Sequence, residues 1–186
     1  MTGTSALVAG AAWMAKDVGG RVSPDPDYWD CNSSYDYVLN GVDTVAFLLL
    51  SLTVLGLAHV LRREIGPRAV FVGAAAAVAF GVAGIANLLE HCAAIDRAGL
   101  AYVIGLMSGM SLLVVFTVML RRAPIPAWSV LVLLLGTLSA ILAVDEGGWL
   151  AFGIALLVFG VVFIQKLSSP APRNSSSRRQ ARSRRA

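Results

Sequence analysis

Apolar residues along this chain come in long unbroken runs. They neither alternate with polar residues nor recur along a single helical face. A helix that crosses a bilayer needs about 20 mostly apolar residues, because the hydrocarbon core is about 30 Å thick and a helix rises about 1.5 Å per residue. The stretches Tyr37 to Leu61, Ala69 to Leu89 and Leu100 to Leu120 meet that requirement. Ala127 to Val144 and Trp149 to Ile164 are shorter, and only Asp145, Glu146, Gly147 and Gly148 separate them. So tight a polar turn predicts an antiparallel hairpin. The N-terminal run, Ser5 to Ala15, is too short to span, but extended from Thr2 to Val18 it reaches the lower limit of about 17 residues. A short sixth span is expected there, with Lys16 snorkelling to the interface and Trp13 in the aromatic belt; a re-entrant or surface helix is the alternative.

The expected fold is therefore all-α, a polytopic transmembrane bundle of five or six spans. Residues 1–36 would form a short N-terminal helix plus an outer segment, residues 37–166 the bundle, and residues 167–186 a disordered basic tail. Composition agrees. Hydrophobic residues make up 57% of the 186 and charged residues only 14%, where a soluble domain carries about 25%. The N-terminus lacks the basic region and the small-residue cleavage site of a signal peptide, so it is expected to be retained. Arginine far outnumbers lysine and alanine is abundant, which suggests a GC-rich bacterial genome.

The net charge of +4 hides a segregation of sign. Every basic residue except Lys16, Arg21 and Arg97 falls on one side of the expected topology, and among the acids only Glu64 joins them there. The positive-inside rule makes that side cytoplasmic and places the C-terminus inside, in the inner membrane of a bacterium. The opposite side holds the segment from Asp17 to Asp36, where Pro24 and Pro26 forbid a regular helix. Tyr28, Trp29 and Tyr35 are expected to pack that segment on the rim of the bundle.

Candidate chemistry collects on the outer side. Cys31 and Cys92 are the two cysteines, and both face the oxidising compartment, where disulfides persist. A bond between them would pin the outer segment over the bundle and contribute up to roughly 4 kcal/mol by the chain-entropy argument. Two free thiols or a pair of metal ligands are the alternatives, although one nearby histidine makes a weak metal signal. Asp43 lies inside its span, about 9 Å below Tyr37 at helical rise, and an ionisable group at that depth is a site hypothesis by default. Asn40 sits one turn above it. Asn87, Glu90 and His91 share a face of the next span and arrive at the same level, with Arg97 as a possible counter-ion. Such a cluster can bind a cation, relay a proton or hold a polar head group. It can equally be structural, with Asp43 hydrogen-bonded to a neighbouring helix.

His59, beside the arginines, reads as interfacial. Gly73, Ala77 and Gly81, and Gly105 with Gly109, have the spacing that lets helices approach closely. The tail residues Arg178, Arg179, Arg182, Arg184 and Arg185 suit anionic lipid head groups at about 1 kcal/mol each near the surface, an acidic partner, or simply a topology anchor; nucleic acid is not expected. Asn32-Ser33-Ser34 matches a glycosylation sequon that matters only in a eukaryotic host. No Cys-x-x-Cys, phosphate loop, HExxH, haem-ligand histidine pair or Ser/His/Asp arrangement occurs, so no catalytic residue, metal site or cofactor is expected.

Gly10-Ala11-Ala12-Trp13-Met14-Ala15-Lys16 and Gly84-Ile85-Ala86-Asn87-Leu88-Leu89-Glu90 resemble small uncharacterised multi-span membrane proteins of actinobacteria. The resemblance implies a helical membrane bundle with no established activity, and no residue role is carried over from it. Two functional expectations follow. One is a non-enzymatic accessory or scaffold subunit of a larger membrane assembly, held by a membrane-protein partner or by self-association. The other is a protein that binds or transports a small solute, ion or lipid through the outer cluster. A membrane enzyme with an outer-face site is a third.

Overall fold

A computed structural model describes residues 2–23, 31–93, 95–143 and 147–168. Among the described residues the chain is all-α. Its helices are α1 (Thr2–Val22), α2 (Ser34–Val60), α3 (Arg62–His91), α4 (Asp96–Met119), α5 (Ala127–Leu142) and α6 (Gly148–Ser168), with a 3-10 turn, Leu120–Arg122, after α4. By length and composition four stretches can cross a membrane: Ser34–Val60, Arg62–His91, Arg97–Arg122 and Gly148–Lys166. Ala127–Leu142 is apolar but shorter.

Each helix packs on its neighbours in sequence, and α6 closes back onto α1. The result is a ring of antiparallel staves whose interior is filled by Trp13, Phe47, Phe80, Phe116, Phe152 and Phe159, all fully buried. α1 is not among the helices long and apolar enough to cross by themselves, but its contacts run along the bundle. It has 21 residues, about 30 Å at helical rise. It meets Gly56 through Thr2 near one end of α2 and Leu39 through Gly19 near the other. It therefore packs along the full height of α2.

Glycine explains how α1 and α6 come so close. A Cβ on Gly10 would stand 2.6 Å from the Gly153 carbonyl oxygen, and one on Gly153 would stand 2.7 Å from that of Gly10. Gly3 and Gly160 repeat the reciprocal contact a heptad away along each helix, at 3.3 and 3.0 Å. With no hydrophobic force between helices in lipid, close packing of this kind is what holds them. The small residues singled out from the sequence are also used inside the ring. Gly73 faces Phe116 and Ala58, Gly105 lies on the backbone of Ala79 and Ala83, and Gly109 lies on the Phe80 ring. Side-chain hydrogen bonds add to this. Thr53 and Ser5 link α2 to α1 through their hydroxyls at 2.9 Å, and Ser51 donates to the Ala77 carbonyl at 2.6 Å, linking α2 to α3. Contacts of this type average about 0.6 kcal/mol in membrane proteins. The seam between α4 and α5 is the thinnest in the ring.

The two ends differ chemically. One carries exposed Arg62, Arg63, Arg68, Arg121, Arg122 and Lys166, beside the start of α1 and the end of α6. There the chain turns from α2 into α3 through Gly66, at φ 81°, followed by Pro67, which together break α3 after its first turn. At the other end Cys31 and Cys92 are joined at a Cα separation of 4.9 Å. The Cys31 amide also donates to the His91 carbonyl at 3.2 Å, fixing the chain just ahead of α2 on the end of α3. Tyr35, expected to pack at the rim, donates to the Gly19 carbonyl at 2.8 Å and ties the top of α1 to α2. Pro24, Pro26, Tyr28, Trp29, Asp145, Glu146 and the tail arginines lie outside the described residues.

Candidate functional site

α1 and α2 each present a buried stripe that is apolar near the basic end and turns polar toward the other. On α1 it runs Ala6, Ala9, Gly10, Trp13, Lys16; on α2, read from the far side, it runs Leu50, Phe47, Asp43, Asn40, Asp36. The stripes face each other because the helices are antiparallel neighbours. The first polar members therefore meet at one level.

There the Trp13 indole donates its Nε1–H to Asp43 Oδ1 at 3.1 Å. Lys16 Nζ stands 3.8 Å from Asp43 Oδ2, too far for a direct hydrogen bond. Asp43 Oδ2 is buried and accepts no hydrogen bond. Asp43 is 1% exposed and Lys16 6%. A carboxylate and an ammonium so placed have each lost much of their hydration, and their mutual attraction offsets part of that cost. Trp13 is held by stacking on Trp149, with centroids 5.5 Å apart, and by an edge contact with Phe47 at 5.1 Å. Its donor is thus aimed by packing.

Lys16 and Asp43 form the polar corner of a cavity of about 130 Å³. Phe47, Tyr102, Leu106 and Trp149 line its interior, and Met107, Met110, Ala140 and Ile141 line the side where α4 faces α5. Met107 is half exposed, and Ile141 also reaches the outer surface. The cavity therefore lies behind the thinnest seam of the ring.

The residues singled out from the sequence divide between this site and its surroundings. Asp43 is at its centre, but its partners come from α1 and not from α3. Lys16 turns inward instead of snorkelling, and Trp13 lies in the core instead of the aromatic belt. Asn87 is buried and reaches Thr44 Oγ1 at 3.4 Å. Glu90 and His91 approach each other at 3.8 Å. Glu90 lies against Gly99 of α4, and the His91 ring meets Tyr102 edge-on at 6.2 Å. Neither lines the Asp43 cavity. Tyr102 connects the two groups, lining the cavity while its ring meets that of His91 edge-on. Asn40 donates to the Asp36 carbonyl at 3.0 Å, and Arg97 is exposed. Among the described residues, no group of three or more His, Cys, Asp or Glu side chains is placed to hold a metal.

Two features were missed from the sequence although signals existed. Trp13 and Lys16 continue the spacing of Ala6, Ala9 and Gly10, so Lys16 belongs to the buried face. Ser33-x-x-Asp36 is a capping box in which the Ser33 amide donates to Asp36 Oδ2 at 2.8 Å while the Asp36 amide donates to Ser33 Oγ at 3.3 Å. It starts α2 three residues before the apolar run begins at Tyr37. Tyr102 and Trp149 carried no signal, since single aromatics in apolar runs do not announce a cavity.

No protein-family model, curated protein or solved structure matches the chain. The site's meaning rests on its own geometry.

Proposed function

We propose that this chain is a multi-span protein of the bacterial cell membrane that binds a small molecule in the cavity headed by Lys16 and Asp43. One observation carries the reading: a carboxylate oxygen, Asp43 Oδ2, is buried in the wall of a cavity without a hydrogen bond. An unsatisfied buried acceptor costs about 1–3 kcal/mol, more when charged, and a ligand with a donor removes that cost. By the positive-inside rule the segregation of basic residues supports a cytoplasmic arginine-rich tail, suited to anionic lipid, and with it a cavity in the outer half of the membrane. The accessory-subunit reading loses one support, because its small-residue faces pack within the ring.

Native mass spectrometry tests the proposal. Protein released from its own membrane in mild detergent should carry a low-mass adduct that Asp43→Asn loses while remaining monodisperse and fully helical. A wild type without an adduct, or an Asp43→Asn variant that keeps one, overturns the binding site. A stoichiometric partner protein in place of the adduct would instead establish an accessory subunit.

A further inference from the structure

The cavity's shape and charge also restrict what it can hold, given the binding site proposed above. In its described lining one positive and one negative group, Lys16 and Asp43, face each other and offset one another. A bound cation or anion would add a further charge among Phe47, Leu106, Met110 and Trp149, where desolvation penalises it. A neutral ligand does not. Asp43 Oδ2 accepts no hydrogen bond, with Lys16 Nζ standing 3.8 Å away, so a ligand that brings an O–H or N–H satisfies it. The rest of the wall is almost wholly apolar, so the remainder of the ligand must be hydrocarbon-like. At about 130 Å³ the space is close to the roughly 150 Å³ of an apolar cavity that takes up benzene.

The route of entry follows from the same residues. Met107 and Ile141 line the cavity and also reach the outer surface of α4 and α5. These two helices touch less than any other neighbouring pair in the ring. Met107 is unbranched and flexible, able to swing aside without moving backbone. By contrast the α1–α6 seam is closed by glycine against backbone carbonyls at Gly3, Gly10, Gly153 and Gly160, with Leu7, Met14, Leu157 and Ile164 packed around these contacts.

We infer that the site takes a neutral, lipophilic hydroxyl compound about the size of a phenol, which enters sideways from the bilayer between α4 and α5 and donates its O–H to Asp43 Oδ2. The reaction is binding only; no bond is made or broken.

The experiment uses the full chain in lipid nanodiscs, with 4-bromophenol as the probe and quenching of tryptophan fluorescence as the readout, since Trp149 lines the cavity and Trp13 stacks on it. Saturable quenching is expected. Bromobenzene, which lacks the donor, should bind at least tenfold more weakly. Met107→Trp, a change on the lipid-facing side of the mouth, should weaken or slow 4-bromophenol binding at least tenfold while leaving the fold intact by circular dichroism. Equal binding of bromobenzene would overturn the hydroxyl assignment. Unchanged affinity and rate in Met107→Trp would overturn the lateral route. Absence of saturable quenching would overturn the ligand class as a whole. That last result leaves the broader binding site to stand or fall on the adduct in the native mass spectrum, so the two failures can be told apart.

Discussion

The two seams that flank the cavity are built on opposite principles. Between α1 and α6, Gly3, Gly10, Gly153 and Gly160 remove side chains altogether and bring carbonyl oxygens against Cα atoms. Between α4 and α5, Met107 and Ile141 fill a gap with long, movable side chains, and a cavity remains behind them. A seam of backbone has one arrangement, whereas a seam of flexible side chains has several of similar energy. The comparison teaches that a ring of helices can be rigid on one side and permeable on the other with no change of fold. Only the size of the residues at the contact has to differ.

The largest effect should come from adding bulk to the rigid side. Gly10→Leu drives a side chain into the Gly153 carbonyl, which cannot yield without moving α6. A destabilisation beyond about 4 kcal/mol is expected, at the exceptional end for point variants, seen as loss of monodisperse protein or of a cooperative thermal transition in detergent. A well-folded Gly10→Leu protein would remove the distinction between the seams. The next effect concerns the charged pair that lies between them. Lys16→Met or Asp43→Leu alone removes one half of a buried charge pair and should destabilise by about 3–5 kcal/mol. The double variant should lie closer to the wild type than either single one, with Trp13 Nε1 losing its acceptor as the residual penalty. Simple additivity of the two losses in thermal unfolding would mean that the groups do not interact. The smallest effect is expected on the permeable side. Ile141→Ala should change stability by no more than about 0.5 kcal/mol, as for surface positions generally, because lipid replaces what is removed. A loss of several kcal/mol there would show the α4–α5 seam to be as tightly packed as its counterpart.

Sequence pattern and structure meet at the level of the runs. Long apolar stretches made the helices of the bundle legible, while their bounds moved by several residues, at the start of α2 because Ser33 and Asp36 form a capping box. Asp43 was legible because an acid inside an apolar run is costly and therefore conspicuous. Its partners were not. Position along a helix gives depth but not azimuth across a bundle whose neighbours are unknown, so Asn87, Glu90 and His91 looked as suitable as Lys16. Lys16 was read from its average behaviour, which is to snorkel, when the buried positions at Ala6, Ala9, Gly10 and Trp13 already directed it inward. The glycine contacts escaped for a related reason. Gly3 and Gly10 lie a heptad apart, wider than the four-residue spacing usually sought, and their partners Gly153 and Gly160 are at the far end of the chain.

That last separation bears on how the protein is made. α1 is synthesised before α6, so the glycine face of α1 has no mate while the helices between them are being translated. Four apolar helices can enter the bilayer on hydropathy alone, but α1 is not among them. α2, the next helix to emerge, brings Asp43 to Lys16 and the Thr53 hydroxyl to Ser5. The first hairpin therefore carries its own charge compensation into the lipid. α6 then acts as the closing stave, the helix whose arrival on α1 completes the ring.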